Sequence, residues 1–339
     1  MIKNILKRGG NETERKTEKQ RVDERREEIL AKGRKFKYPL QFAKHRLVAI
    51  TVIISVLAIL VMTAVGWFLL YKKQSEGDII YRVARVLPVP VAKVDGENVN
   101  FGDYLLIYRS SMRAVEQQSG TLGTDEEAEE VRARYKRAAL DQAEEYAFSR
   151  KLARENGVSV GRDEINEAFL AHRNIGGVEK SEESFLKVVA DNFGMDKREY
   201  EQMIEMALMQ VRVSEKIDET ANETAERVEE MLAKNGGNFD EVAKELTGVV
   251  NVEATGGLVS NKNIDGGRAE RAFNLEKGEV SERFVSSNGD GYYFVKLLNK
   301  NEKQVDYISI KVPFVELRTR FEKAKAEGKI EEYIEIRVE

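Results

Sequence analysis

The chain contains no cysteine and only two histidines, and these absences exclude several classes of protein. Without cysteine there is no disulfide, no thiol nucleophile and no metal held by thiolates. His45 and His172 alone leave little for a histidine-based metal site or a catalytic triad. The sequence also lacks a phosphate-binding glycine loop and the GxSxG and HExxH motifs. It therefore predicts neither a metal nor a cofactor.

Charge is missing from one long stretch, Leu47 to Tyr71, which only Ser and Thr interrupt with polar groups. At about 1.5 Å rise per residue, a helix of this length exceeds the ~30 Å hydrocarbon core of a bilayer. It lacks the polar face of a soluble core helix, and it ends in Trp67, Phe68 and Tyr71 followed by two lysines, an interfacial anchor. A cleavable signal peptide has a shorter apolar run nearer the N-terminus. Residues 47–71 are therefore predicted to be a permanent transmembrane helix.

Basic residues are concentrated before this stretch. Residues 1–46 carry 15 Lys and Arg against 7 Asp and Glu, whereas the rest of the chain carries 40 against 52. The positive-inside bias places the basic side in the cytoplasm. The sequence thus predicts a single-pass plasma-membrane protein with a cytoplasmic N-terminus and an extracytoplasmic C-terminal region.

The N-terminal tail, residues 1–46, is polar and mixed in charge. Its first 20 residues are predicted to be disordered, and Arg21–Lys32 can form a short helix with i,i+4 charge pairs. The run GRKFKYPLQFAKHR could bind nucleic acid or anionic lipid headgroups. Its position beside the span favours the bilayer as partner, so no nucleic-acid partner is predicted.

Turn and capping signals divide the region after the span into elements. Residues 72–89 are predicted to be a linker whose LPVP end favours extended backbone. The following VAKVDGENV predicts a hairpin with an Asp-Gly turn. Thr124–Glu127 is a capping-box signature that opens a long helix closing at Asn156–Gly157. The pattern after the hairpin is that of an all-helical module.

A later helix of this module, predicted over residues 196–218, carries Met203, Met206 and Met209 on neighbouring turns. Methionine is adaptable, and methionine-rich surfaces suit the binding of varied apolar segments. The alternative is that the three side chains belong to the core. We take them as candidates for binding client polypeptides.

The order of these elements resembles the N-terminal chaperone module of the SurA and PrsA type of extracytoplasmic foldases. The resemblance depends on three segments: VAKVDGENVNFGDY, SRKLARENGVSVGRDEIN and SFLKVVADNFGMDKREYEQMIEMALMQ. It implies a chaperone module over residues 90–222.

Residues 223–312 resemble a parvulin (PpiC) peptidyl-prolyl isomerase domain. Five ordered elements carry this resemblance: Asn238–Leu246, Gly256–Leu258, Ala272–Leu275, Gly278–Ser281 and Gly291–Leu298. They correspond to the family's FxxxAK helix, Gly-Gly-x-Leu turn, Ala-Phe helix, Gly-Glu-x-Ser turn and closing strand. The resemblance implies a small α/β domain with a cleft for proline-containing segments.

The catalytic groups of that family do not carry over. Active parvulins hold two histidines in the sheet, yet no histidine follows His172 here, and the last-strand position is Tyr293. Val249 stands where an acid or thiol is expected, and Arg268 replaces a pocket aromatic. We therefore predict no catalytic residues. The remaining candidates for client binding are Leu258, Ile264, Phe273 and Tyr293.

The family's first strand should precede the Glu223 helix, where nothing is strand-like. We expect Val305–Val312 to form a strand that substitutes for it. Residues 313–339 are predicted to be an amphipathic helix from Phe314 to Ala326 and a strand containing Ile334, Ile336 and Val338. By analogy with the SurA-like family, this strand could pair with the Val91–Val94 hairpin and return the C-terminus to the chaperone module.

Together these features predict an α+β chain: a transmembrane helix, an all-helical chaperone module and a small parvulin-like α/β domain. The predicted function is that of a membrane-tethered chaperone that binds unfolded secreted or envelope proteins, with the secretion translocon as a candidate partner. Two alternatives stay open. One is an active parvulin-type isomerase, and the other is an accessory subunit of a membrane complex without chaperone activity.

Overall fold

The computed structural model of the protein describes residues 10–37, 39–174 and 179–337. The pattern of contacts divides the chain into two units, and the boundary in the sequence falls between Leu69 and Leu70. The first unit is helical, and the second contains all eight strands of the described residues.

The first unit consists of helix α1 (Gly10–Lys37) and helix α2 (Pro39–Trp67), which a π-helical segment (Phe68–Lys72) extends. The disorder predicted for residues 1–20 is wrong from Gly10 onward, and residues 1–9 lie outside the described part. Pairs such as Glu28 and Lys32, 3.5 Å apart one turn along the helix, support helix formation in this polar sequence. Among the described residues, one helical stretch, Arg46–Lys72, is long and apolar enough to cross a membrane.

The second unit begins with a helical module. Its elements are α3 (Asp78–Val86), β1 (Pro90–Val94), β2 (Glu97–Asn100), α4 (Phe101–Ser119), α5 (Glu126–Asn156), α6 (Arg162–Arg173), α7 (Glu182–Phe193) and α8 (Lys197–Ile217). The Asp-Gly turn of the hairpin is present, with φ of 46° at Asp95 and 90° at Gly96, as a type I′ turn requires. Helix α5 is capped by Asp125, whose carboxylate accepts the Ala128 N–H at 2.9 Å, and not by the predicted Thr124.

Helix α3 replaces part of the predicted linker. Tyr81 and Ala84 point into the core, and an ideal Cβ on Gly102 of α4 would lie only 2.8 Å from the Ala84 carbonyl oxygen. Asp78, Arg82 and Arg85 do recur at the helical spacings of four and three residues, but the helix has only nine residues and is followed directly by the LPVP signal for extended backbone. The connector after Lys72 is therefore a packed element.

The core of the helical module extends well beyond the helices named above. It includes Leu70 from the end of the apolar stretch, the hairpin, and residues from α4 to α8. It also includes residues from the C-terminal helix α12 (Glu316–Ala326), whose buried side chains Leu317, Phe321 and Ala324 form the apolar face of the predicted amphipathic helix. The Phe321 ring lies 5.8 Å from that of Phe148 on α5.

The last strand of the described residues pairs with the first hairpin. Strand β8 (Ile330–Glu332) is antiparallel to β1, so that the small sheet has the order β2-β1-β8. The predicted strand around Ile334 and Ile336 is not formed, and Val338 lies outside the described residues. Pairing with the hairpin thus uses residues a few positions earlier than expected.

The chain between α8 and α12 forms an α/β layer, and the helical module is the other layer of the second unit. Its elements are α9 (Glu219–Lys234), α10 (Phe239–Glu245), β3 (Asn251–Ala254), β4 (Val259–Ser260), α11 (Arg268–Phe273), β5 (Phe284–Val285), β6 (Gly291–Lys300) and β7 (Gln304–Pro313). The sheet order is β3-β7-β6-β5, with β4 also paired to β7. The strand predicted at Val305–Val312 is thus β7, which lies inside the sheet between β3 and β6.

Asp218 joins the two layers. It lies between α8 and α9 with only 1% of its surface exposed. One carboxylate oxygen accepts the Ala221 N–H of α9 at 2.9 Å, and the other accepts the N–H groups of Val315 and Glu316 at 2.7 and 3.0 Å. A single carboxylate therefore caps the start of α9 and the start of α12.

Gly289 forms a second contact between the layers. It has φ of +69°, and a Cβ added to it would overlap Cγ2 of Val211 on α8. We expect Gly289→Ala to lower the free energy of unfolding by about 2 kcal/mol, since backbone strain and overlap combine. Thermal or urea unfolding followed by circular dichroism measures this loss.

The matched control is Gly248→Ala, which has φ of +80° but open space around the new Cβ. It should lower the free energy of unfolding only by the strain of a side chain in the left-handed backbone region, about 1 kcal/mol. Adding Val211→Ala to Gly289→Ala should remove the excess cost of the overlap. Equal losses for the two glycine variants would contradict a tight contact at Val211.

Candidate functional site

Tyr293 and Arg268, two residues at positions expected to line the cleft, lie where the five-stranded sheet packs against α11. Side chains alternate along β6 and β7, so Tyr293, Val295 and Leu297 share the face toward α11 with Val305 and Tyr307. Ala269 and Ala272 of α11 are fully buried against them. The opposite face carries Tyr292, Phe294, Ile310 and Val312 and packs with α9 and α10.

Tyr293, at the last-strand position, is only 3% exposed. Its hydroxyl donates to Asp290 Oδ2 at 3.0 Å. The Lys311 ammonium, directly opposite on β7, binds the same oxygen, and the Ser286 hydroxyl donates to Asp290 Oδ1 at 2.7 Å. Tyr293 is thus anchored to a polar cluster at the start of β6.

The ionisation of this cluster follows from its contacts. Partial burial alone would raise the pKa of Asp290, but the hydrogen bonds from Lys311 and Ser286 outweigh it and hold that pKa below its usual range. Burial raises the pKa of Tyr293, and the nearby Asp290 carboxylate adds to the effect. At neutral pH Tyr293 is therefore a neutral donor beside a carboxylate and an ammonium.

Arg268 lies over the ring of Tyr293, with its guanidinium carbon 5.2 Å from the ring centre. Its Nε donates to the Asp265 carbonyl oxygen at 2.8 Å and one terminal nitrogen donates to Glu253 at 3.1 Å. Asp265 in turn accepts the Tyr307 hydroxyl at 2.7 Å. Arg268 stands where a pocket aromatic is expected, and Tyr293 stands where active parvulins have the last-strand histidine. The first of these two replacements therefore covers the second.

The seven client-binding candidates are in different environments. Ile264 is 80% exposed and Leu258 43% exposed, both in the segment between β3 and α11. Phe273 is half-buried at the end of α11 with the Lys300 ammonium 5.7 Å from its ring centre, and Tyr293 is buried. The structure therefore leaves Leu258 and Ile264 as the two strongly accessible apolar candidates of this domain.

The methionines of α8 agree better with core packing. Met203 and Met209 are half-buried against the core of the helical module, and Met206 is 5% exposed. Each reaches solvent less than Leu258 or Ile264 does. Client contact through Met206 would need α8 to move, whereas Met203 and Met209 keep part of their surface accessible.

Sequence reasoning missed Asp290, Lys311 and Asp265. Lys311 did carry a signal, because it is a lysine at an inward position of the buried, alternating strand VDYISIKV. Asp290 and Asp265 lie in turns, where aspartate is common and indicates no particular partner. Their meeting depends on strand register and on α11.

Two family models match the chain, one mainly over the helical module and one mainly over the α/β layer. The model of the SurA-like N-terminal domain matches residues 40–214, and the model of the PPIC-type PPIASE domain matches residues 197–308. No curated protein matches the chain. The fold and the sheet define an α+β foldase of the chaperone and prolyl-isomerase class. The chain belongs to the family with the SurA-like N-terminal domain, and it resembles SurA and PrsA in carrying a PPIC-type domain as well.

Proposed function

We propose that the protein is a membrane-tethered, extracytoplasmic chaperone whose parvulin-like domain binds polypeptide without catalysing isomerisation. Its partners would be unfolded secreted or envelope proteins and the lipid bilayer, with the secretion translocon as a candidate neighbour. In this proposal residues 90–222 and 313–339 form the chaperone module and residues 223–312 the parvulin-like domain. The observation that carries it is the buried, hydrogen-bonded Tyr293 under Arg268.

Prolyl isomerisation must overcome a barrier of ~18–20 kcal/mol that arises from amide resonance. Catalysis needs preorganised groups aimed at the twisted amide. Here Tyr293 donates to Asp290, and Arg268 binds Glu253 and the Asp265 carbonyl. Groups held in this way would have to leave their partners before they could act on a proline amide.

Client binding needs accessible apolar surface. Ile264 and Leu258 supply it on the parvulin-like domain, and Phe273 adds a half-buried ring. The stretch Arg46–Lys72 supplies the tether. A tether raises the effective concentration of weak binding sites for chains that emerge at the same membrane surface.

The first test is a prolyl cis–trans assay of the full chain in detergent micelles. We expect no acceleration over the uncatalysed reaction, which takes tens of seconds. The alternative, an active isomerase, is favoured by the PPIC-type match. It would be established by turnover that Tyr293→Phe abolishes while Tyr292→Phe, which alters the opposite face of β6, leaves it intact.

The second test is suppression of aggregation of an unfolded client at equimolar full chain. We expect suppression by the wild type and a clear loss in the double variant Leu258→Ser/Ile264→Ser. Leu170→Ser, at a residue 46% exposed on α6, is the matched control. Absence of suppression by the wild type would favour the accessory-subunit alternative.

A further inference from the structure

Helix α3 presents an apolar face to the outside of the helical module. Ile79 and Val86 are 79% and 81% exposed, and Val83 between them is 43% exposed. Spacings of four and three residues place the three on one side of the helix. Tyr81 and Ala84 already fill the opposite side, so the outer face needs a partner of its own.

This face begins close to the end of the candidate span. Leu70 is 5% exposed in the core of the module, and the Tyr71 hydroxyl donates to the Pro90 carbonyl oxygen at 2.6 Å. The six residue steps from Lys72 to Asp78 cover at most about 21 Å. The residues left for the hydrocarbon, Leu47–Phe68, still form a helix about 33 Å long.

The charges around α3 suit an anionic surface. The two nearby acids are paired within the module, Glu76 with Lys136 at 2.7 Å and Asp78 with Arg109 at 2.5 Å. Arg82 is exposed and lies one turn from Ile79 and Val86. An arginine can bury its stem among apolar groups while its head binds phosphate.

We propose that α3 lies in the headgroup region of the bilayer, with Ile79, Val83 and Val86 inserted among lipids and Arg82 at the phosphates. This inference depends on the proposed tether and adds a second membrane contact to it. An amphipathic helix on the interface and a spanning helix are distinct modes of membrane binding. Two contacts would fix the orientation of the chaperone module against the membrane.

The test uses the absence of cysteine, which allows single labels. The full chain is reconstituted in vesicles of phosphatidylcholine and phosphatidylglycerol as Ile79→Cys, Val86→Cys, Val56→Cys and Ile264→Cys, each carrying an environment-sensitive fluorophore. Val56 lies within the span, and Ile264 matches Ile79 in exposure but belongs to the parvulin-like domain. Lipids with a quencher near the headgroup or deep in the chains report depth.

We expect a blue shift and shallow quenching at residues 79 and 86, deep quenching at 56 and neither at 264. Labels at 79 and 86 that behave as the label at 264 does, with deep quenching at 56, would overturn the inference and leave the tether standing. Loss of quenching at 56 as well would overturn both. Arg82→Glu, read with the label at residue 79, should reduce its quenching, and an unchanged signal would contradict the phosphate contact.

Discussion

Replacing Asp218 by alanine is expected to lower the free energy of unfolding by about 4 kcal/mol, because three backbone N–H groups lose a charged acceptor. The carboxylate is 1% exposed, so water cannot readily take its place. Two helices, α9 and α12, lose their first-turn partner at once. Urea unfolding of the full chain in micelles, followed by circular dichroism, measures the change.

Asp218→Asn tests the need for two accepting oxygens. The asparagine amide keeps one accepting oxygen, but its NH2 group replaces the other oxygen and faces backbone N–H groups. The variant should therefore recover only a minor part of the lost free energy of unfolding. The control is Asp125→Ala, which removes a single cap bond made by an exposed residue at the start of α5 and should cost about 1 kcal/mol. Similar losses for Asp218→Ala and Asp125→Ala would contradict a shared cap.

Glu144→Gln is expected to stabilise the protein at pH 8 by about 3 kcal/mol and to change little at pH 5. The Glu144 side chain is 0% exposed on α5, and neither carboxylate oxygen has a hydrogen-bond partner among the described residues. Arg137 lies 3.7 Å away but binds Glu332 and Asp141 at 2.9 and 2.8 Å. Burial, with the Glu332 carboxylate adding to it, raises the pKa of Glu144 to about 7.

The direction of the pH dependence follows from this raised pKa. The folded state holds the Glu144 proton more tightly than the unfolded chain, whose carboxyl has the ordinary value of 4.5. The folded protein is therefore favoured at low pH, and this advantage is lost as the pH rises from about 4.5 through about 7. The glutamine does not titrate, so its variant should lack this part of the decline.

Unfolding measured from pH 5 to pH 8 distinguishes this effect from a general charge effect. Glu130→Gln, at an exposed position of the same helix, removes the same charge and should follow the wild-type profile. Destabilisation by Glu144→Gln at pH 8 would mean that the ionised carboxylate is stabilised by Arg137.

Local signals predicted much of the fold. The Asp-Gly turn gave the β1–β2 hairpin, and the stop at Asn156–Gly157 matches a C-cap with φ of 66° at Gly157. Helix α8 was recognised by the apolar period between Asp196 and Asp218, both of which cap helices. Each of these features is decided by residues close together in the chain.

The elements that the sequence did not predict depend on other information. Helix α3 is short and precedes an extended-backbone signal, and the last strand formed at Ile330–Glu332 because a pairing edge on β1 selected its register. The site shows the same limit. Tyr293 and Arg268 can be singled out from the sequence, but the Asp290–Lys311 pair depends on which residues face each other across β6 and β7.

The shared cap at Asp218 also has an evolutionary meaning. Its Oδ2 touches the Val315 N–H at 2.7 Å, so the chain leaves the helical module and re-enters it at nearly the same point. Residues 219–314 thus form an insertion whose two flanking residues, Asp218 and Val315, are joined by one hydrogen bond. Such an insertion can be gained, lost or exchanged while the host keeps its core.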